Sequence, residues 1–559
     1  MWTSSRKRLR RLEAAWQQPA ARSSHLPWVA RYYNQVQYEP AYHRLPDQTW
    51  EDLNGELLFE LLDATVSRVG QQCLYHRLRS PLADEATLHE FDAAATLLAQ
   101  QPVARGQALL ALDQLTADET YFLADLISGE PLPTLPGARV APLLALGLLA
   151  TLIGGFWLPV LWLGTGVFAL INSVFHFWQR TRIQRIIRPL MQLGRLHRAG
   201  RALCQATLPL RPLEQLATPL DRLGGILRQV TFFQVEDNLG ILELLKLLLM
   251  LDQLVYARCR VAVQRQAPAI RTIFEAVGYV DCALAVASFR QRYATCVPHF
   301  GPAAEGIRLQ AGYHPLVPGC VPNDLTLSGQ GVLLTGSNMA GKTTFMRTLG
   351  VNALLAQTVA TCPATAYHAP FCRVLTSLTL ADSLPTGKSY YLVEAETMRQ
   401  LLLACDAAPG SYLLLLDELF KGTNTQERIA ANKAVLAYLQ PRGWVVAATH
   451  DGELGALLES CYVEYHFCET VTAEDWYFDY RLKAGPLTTR NAIRLLARLH
   501  YPAQVVADAQ ALSATLAARA QAGSARTTTP EELISVAGSN SWRENQLDQG
   551  VQHSDSSLR

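Results

Sequence analysis

Apolar residues recur at helical spacing through residues 49–130, as in ELLFELLDATVSRVGQQCLYHRL (56–78). GEPLPTLPG (129–137) interrupts them with three prolines in nine residues, which reads as a break. From Val140 to Phe175 there follow 36 residues without Asp, Glu, Lys or Arg. One helix of that length would reach about 54 Å, too long for a hydrocarbon core of about 30 Å. The pattern therefore predicts a two-helix hairpin over 140–177, each arm near the short end of the spanning range. Gly154, Gly155 and Pro159 supply the turn, with Trp157 and Trp162 as interface anchors. Arg139 precedes the hairpin, and Arg180, Arg182, Arg185 and Arg188 follow it. The positive-inside rule then predicts a two-pass protein of the cell membrane with both termini in the cytoplasm. The plainer alternative is a buried helical pair in a soluble core.

Helical spacing returns over 180–300. Its strongest stretch, LGILELLKLLLMLDQLVYARCRVAV (239–263), holds Glu243, Lys246 and Asp252 and is expected to be a buried soluble helix. From about 305 to 515 short apolar runs alternate with helical stretches. GVLLTG, YLLLLDE and WVVAATH suit buried parallel strands. After 516 large apolar residues become scarce, and the tail is expected to be disordered.

Composition changes this picture little. The net charge of +1 argues neither for nucleic acid nor against it. Eleven scattered cysteines fit a reducing compartment better than a disulfide framework and offer no zinc spacing. RKRLRR (6–11) opens the chain without an apolar core behind it, so it is not read as a secretory signal. A solvated basic arm is the expectation, with surface binding as the alternative.

The candidate chemistry lies in the alternating segment. Gly336, Gly341, Lys342 and Thr343 satisfy the G-x-x-x-x-G-K-[ST] phosphate loop, between a strand-like VLLT and a helix-like TTFMRTLGVNALLAQ. Such a loop turns backbone N–H groups toward phosphates at a helix N-terminus. Lys342 would reach the β and γ phosphates, and the Thr343 hydroxyl would bind Mg²⁺. Downstream, four leucines lead into Asp417 and Glu418. Asp417 suits the surroundings of the metal, and Glu418 suits a base that orients the attacking water. VVAATHD ends a third strand on His450, placed to sense the γ-phosphate.

Together, TGSNMAGKTTFMR, GKSYYLVEAETM, LLLLDELFKGTNT and ATHDGEL resemble the MutS mismatch-repair ATPases in order and spacing. The resemblance is strong from 311 to 455 and loose elsewhere. It implies an α/β P-loop ATPase of the ABC-like, MutS type, attached to an all-α core and lever domain that the hairpin interrupts. It implies ATP with Mg²⁺, a homodimer and two composite sites. Ser337, Asn338, Met339, Ala340 and Thr344 would complete the cradle around the phosphates. Ser389, in the Gly387-Lys388-Ser389 signature after Asp382, would approach the partner's γ-phosphate. Gly422, Thr423, Asn424 and Thr425 match a loop that crosses the dimer. Tyr313, His314 and Pro315 match a motif near the base, and Tyr480 falls where the family places an adenine-stacking ring. The division so implied is a basic arm (1–48), a core-like helical segment (49–138), the hairpin (139–178), a helical core and lever segment (179–304), the ATPase (305–476), a helical dimerisation region (477–515) and the tail (516–559).

Departures from the family pattern limit the inference. The core-like helices start near residue 50, so the resemblance implies a shortened member without mismatch-recognition and connector domains. The Phe-x-Glu reading motif occurs only as Phe467-Cys468-Glu469, inside the ATPase segment. Two functions follow. One is a membrane-tethered ATPase that binds DNA without reading mismatches. The other is a membrane-anchored conformational ATPase acting on a protein or lipid partner.

Overall fold

The computed structural model describes residues 2–18, 25–129, 132–135, 140–206, 208–230, 241–336, 340–379, 390–408, 410–471, 476–487, 493, 496–497 and 499–524. Residues 1–487 form one compact unit and residues 488–559 a second.

In the first unit the helical core is organised around Ala267–Arg292, an apolar helix of 26 residues. By composition it is long and apolar enough to cross a membrane, yet 83% of its apolar 18-residue window is buried inside the protein. It packs on the helices Arg68–Arg79 and Glu85–Gln100. Asp281, in its middle, explains the difference from a lipid-facing helix. Its carboxylate accepts from Val66 N (2.8 Å), Ser67 N (2.7 Å) and Ser67 Oγ (2.6 Å), pinning the start of the Arg68–Arg79 helix. Burial pushes the Asp281 carboxyl up to about 6, against those three donors.

The expected basic arm is instead part of this core. Trp2–Gln17 is a helix that buries Leu12 and Trp16. Trp16 Nε1 donates to Leu284 O at 2.8 Å, and Ser288 Oγ donates to Trp16 O at 2.5 Å. An apolar face with two anchors four residues apart suffices to dock the helix, and Arg8, one turn before Leu12 on that face, pairs with the buried Asp113.

The stretch 239–263 is also not one buried helix. It is divided into Ile241–Leu249 and Leu251–Arg265 by Met250, whose backbone is left-handed (φ 51°). Leu244 and Leu245 face outward.

The hairpin is present as Ala141–Gly154 and the start of a 45-residue helix, Leu161–Gln205. The first arm holds 14 residues, fewer than the sequence pattern suggests. The hairpin's large side chains point away from the protein: Phe156 is 78% exposed, Trp157 77% and Val160 76%.

Among the described residues, twelve short strands follow the helical core. A four-stranded sheet has the order β1 (His299–Phe300), β5 (Ala366–Ala369), β2 (Ile307–Gly312) and β3 (Asn323–Leu327). The main sheet has six strands in the order β12 (Lys483–Ala484), β9 (Tyr462–His466), β4 (Gly331–Thr335), β8 (Gly443–Ala448), β7 (Tyr412–Asp417) and β6 (Arg373–Ser377). All its pairings are parallel except β12 with β9. β10 (Glu469–Val471) and β11 (Trp476–Phe478) form a small antiparallel ribbon. The main sheet thus extends to Ala484, beyond the boundary expected at 476.

Asp52 ties the helical core to this sheet. Its buried carboxylate accepts from Thr376 Oγ1 (2.6 Å), Leu378 N (3.0 Å) and Thr379 N (2.9 Å) at the end of β6. Its carbonyl accepts from Arg347 Nε (2.8 Å) on the helix that follows the phosphate loop. Asp52→Ala would strand several buried donors at once, and the expected cost is about 3 kcal/mol, read as a lower urea midpoint. An unchanged midpoint would remove Asp52 as the tie.

In the second unit, Ala503–Ser524 is a helix. It runs through the boundary expected at 516, and residues 525–559 of the expected tail lie outside the described residues.

Candidate nucleotide site

Three parallel strands end side by side at the site, in the spatial order β4, β8, β7. Their apolar runs bury them on both faces, so their first polar residues emerge together at the C-terminal edge, where parallel sheets place ligands. Backbone bonds carry the register past the strand ends. Thr449 N donates to Leu334 O and Glu418 N to Ala448 O, each at 3.0 Å.

Gly336 leaves β4 with φ 136°, and a Cβ there would fall 2.3 Å from the Phe467 carbonyl oxygen. No larger residue fits without moving that strand end. Gly341 (φ 104°) starts the helix Lys342–Val359. Lys342 is buried, and its Nζ donates to Gly336 O at 2.6 Å across the mouth of the loop. Burial lowers its pKa, while the charges of Asp417 and Glu418 act to raise it. Ser337, Asn338 and Met339 lie outside the described residues.

Thr343 Oγ1 donates to Asp417 Oδ2 at 2.6 Å. The other oxygen, Asp417 Oδ1, is buried with no hydrogen-bond partner among the described residues. A buried carboxylate oxygen facing a phosphate loop beside a threonine hydroxyl is a fitting oxygen donor set for Mg²⁺. The pair would hold the ion between them, directly or through its waters.

Glu418 follows with a left-handed backbone (φ 49°), which turns its side chain across to the neighbouring strand end. Its Oε1 meets His450 Nε2 at 2.6 Å and its Oε2 meets Lys421 Nζ at 2.7 Å. The His450 hydrogen bond is the largest cause holding the Glu418 carboxyl down to about 2, helped by Lys421 and opposed by burial. Such a carboxylate is always charged near neutrality. It is a weak base and a strong hydrogen-bond acceptor, suited to orienting water.

A cavity of about 450 Å³ adjoins the phosphate loop. Val317, Asn323, Gly341, Thr344, Phe345 and Tyr480 are among its walls. The volume suits a small-molecule site. A Cβ on Gly341 would lie 3.3 Å from Tyr480 Cδ1, so the ring stands directly over the loop. Tyr480 also stacks on Phe478 (5.7 Å, 25°). Asn323 fixes the segment carrying it, donating to Tyr480 O (2.9 Å) and accepting from Leu482 N (2.7 Å).

His314 sits behind the cavity wall: Leu316 N donates to its Nδ1 at 3.3 Å, and its buried Nε2 has no hydrogen-bond partner among the described residues. Its ring is buried and is not among the cavity's lining residues. Burial lowers its pKa to about 4, so it is neutral at pH 7. Its backbone holds the neighbouring turn: His314 N donates to Cys320 Sγ (3.3 Å), and Val317 N donates to His314 O (3.0 Å). It is a support for the cavity wall.

The remaining expectations divide between the described residues and those outside them. Asp382, Gly387, Lys388 and Ser389 lie outside. Asn424 caps the helix Thr425–Leu439, its side chain accepting from Glu427 N at 3.0 Å. Phe467, of the Phe-x-Glu match, is 1% exposed and packs on Phe345 beneath the phosphate loop. It belongs to the foundation of that loop.

Sequence reasoning passed over four supports. Lys421 grips Glu418. Glu394 is buried and accepts from Lys421 N at 3.3 Å; burial raises its pKa. Arg428 makes a two-pronged contact with Asp451, Nε to Oδ2 at 2.9 Å and Nη2 to Oδ1 at 2.6 Å, locking the turn after His450. Asn323 carries the fourth role. Asp451 sat in the quoted ATHDGEL, but its partner is 23 residues away and nothing local identifies it.

The family model described as MutS domain V matches residues 332–517. Among curated proteins, a DNA mismatch repair protein MutS from Thermus aquaticus is 34% identical over 273 residues, 48% of this chain and 33% of that protein. One from Natronomonas pharaonis is 33% identical over 276 residues, 47% and 32% of the two chains. A DNA mismatch repair protein MutS 2 from Haloarcula marismortui is 29% identical over 282 residues, 45% and 29%. The chain spans about a third of the length of these relatives.

Proposed function

We propose that this chain, whose C-terminal half belongs to the MutS family, is a membrane-tethered ATPase that works as a homodimer and binds DNA without reading mismatches. The observation that carries the ATPase reading is the meeting of Thr343, Asp417, Glu418 and His450 at the ends of adjacent parallel strands. In this reading Lys342 and the loop hold the triphosphate. Tyr480 faces the base across the cavity. Glu418 orients a water, and His450 lies where hydrolysis changes the charge. Bound Mg²⁺ would neutralise charge on the phosphate oxygens. A P-loop covers one side of a triphosphate, so a partner subunit's Ser389 loop would close the other. The outward apolar side chains of the hairpin support the tether, with both its ends on the ATPase side. The names of the relatives support DNA as the ligand.

A second reading, action on a protein or lipid partner, is favoured by the continuous Leu161–Gln205 helix. It runs from the exposed hairpin straight into the helical core. The ATPase rate of detergent-solubilised protein, with and without duplex and branched DNA across a salt series, separates the two. DNA binding through phosphates predicts stimulation that falls steeply with salt. No stimulation and no salt-dependent binding would sink the DNA reading and leave the second.

A further inference from the structure

Two cysteines face each other where the helical core meets the far end of the phosphate-loop helix. Cys296 follows the Ala267–Arg292 helix, and Cys362 follows the Lys342–Val359 helix. They form an isolated antiparallel bridge outside the named strands. Cys296 N donates to Cys362 O and Cys362 N donates to Cys296 O, each at 2.9 Å. Residues that exchange both bonds have Cα atoms about 5.5 Å apart, within the range that a disulfide spans. The two thiols are also in hydrogen-bond contact with each other.

Neighbouring ties hold this register. Arg290 Nε donates to Thr361 Oγ1 and its Nη2 donates to Ala360 O, each at 2.9 Å. Tyr313 N donates to Pro363 O at 3.1 Å, and its hydroxyl donates to Ala294 O at 2.9 Å. The joint is therefore pinned on both sides of the cysteine pair, and joining the sulfurs needs no rearrangement of the fold.

The pair is asymmetric. Cys296 is half-buried, whereas Cys362 is fully buried. The Cys362 S–H has two acceptors in reach, Asn352 O at 3.7 Å and the Cys296 sulfur. That contact is the largest cause holding the Cys296 thiol below its ordinary pKa, against burial, while burial pushes Cys362 up. Burial also pushes up Cys73, Cys282, Cys372 and Cys405. A reachable sulfur with thiolate character thus lies against a protected thiol, the arrangement of an oxidant-sensitive cysteine and its resolving partner.

We propose that Cys296 and Cys362 form a redox-modification site, closed to a disulfide by a hydroperoxide and reopened by a dithiol. The Cys296 thiolate attacks one peroxide oxygen and the O–O bond breaks. The second oxygen leaves as hydroxide and takes a proton to become water. Cys296 is then a sulfenic acid. The Cys362 sulfur attacks the Cys296 sulfur, the S–O bond breaks, and the departing hydroxide leaves with the Cys362 proton as water. The two thiols give up two electrons and the peroxide accepts them. A dithiol reverses the bond by exchange. Disulfides of reducing compartments are of this transient kind. The closed bond encloses residues 297–361, with β1 to β4 and the phosphate loop, and so restrains that part of the unfolded chain.

The test treats the full-length protein in detergent with a small excess of hydrogen peroxide and then removes the peroxide with catalase. Remaining thiols are blocked with N-ethylmaleimide under denaturing conditions, and the peptides are read by mass. The expected product is a linked pair carrying residues 296 and 362. It should form about tenfold faster than Cys73, Cys282 or Cys405 is consumed, and disappear on adding dithiothreitol. In Cys296→Ser, Cys362 is expected to stay reduced at the same dose. The linked protein should unfold at a higher urea concentration than its reduced form. Absence of the linked pair, Cys296 joined to a different cysteine, or Cys362 consumed without Cys296 would overturn the site. An unchanged urea midpoint would overturn the restraint.

Discussion

Replacing Glu418 by Gln is expected to leave ATP bound and to cut its turnover about a thousandfold, within the range that loss of a positioned acid–base group produces. The substitution keeps the volume and one carbonyl acceptor. It removes the charge that both His450 Nε2 and Lys421 Nζ contact. Phosphate binding rests on other groups, Lys342 and the backbone of the loop, so nucleotide affinity should stay within a few-fold of the parent. The carboxyl is held down to about 2. Glu418 is therefore ionised at neutral and mildly acidic pH, and an acid limb of the pH–rate profile there would have to come from another group. The sign is that of a depressed carboxylate. Its charged form is favoured above its unfolded pKa, and that contribution to stability is lost only as pH falls toward about 2. Single-turnover hydrolysis and equilibrium ATP binding on the same preparation check the split. Normal turnover in Glu418→Gln would remove its role toward the attacking water.

Much of the site was legible because strands and loops of this kind announce themselves locally. Four leucines before Asp417, and the glycine spacing before Lys342, need no knowledge of the fold. What sequence could not carry was order in space. Nothing in the chain says that β8 lies between β4 and β7, and that insertion is what brings His450 onto Glu418. Long-range polar ties were hidden for the same reason. Asp52 and Asp281 lie in helical stretches with nothing local to single them out, and their partners lie more than 200 residues away. The basic N-terminus was misread because its charges outnumber its two buried anchors, Leu12 and Trp16. A helix needs only a narrow apolar face to dock. In 239–263 the apolar content was read correctly and the break was not, since a left-handed Met250 has no compositional sign.

Lys342→Ala should produce the opposite defect, a loss of nucleotide binding of about a hundredfold, close to 2.7 kcal/mol at 1.36 kcal/mol per decade. The ammonium is buried at the mouth of the loop, 2.6 Å from Gly336 O, on the side where phosphates would sit against the helix N-terminus. Burial lowers its pKa, so the protein holds this charge at a cost in the nucleotide-free state. That cost is offset by Asp417 and Glu418 nearby and, on the ATPase reading, more fully by a triphosphate. Removing the side chain therefore costs little fold stability and most of the phosphate affinity. The discriminating measurement is a urea midpoint beside a binding isotherm. An unchanged midpoint with lost affinity assigns Lys342 to the ligand. A lowered midpoint with affinity retained in the folded fraction would assign it to the fold, bridging the loop to its own first glycine. Because Glu418→Gln alters turnover and Lys342→Ala alters binding, the pair of variants also separates two steps that a single rate measurement would merge.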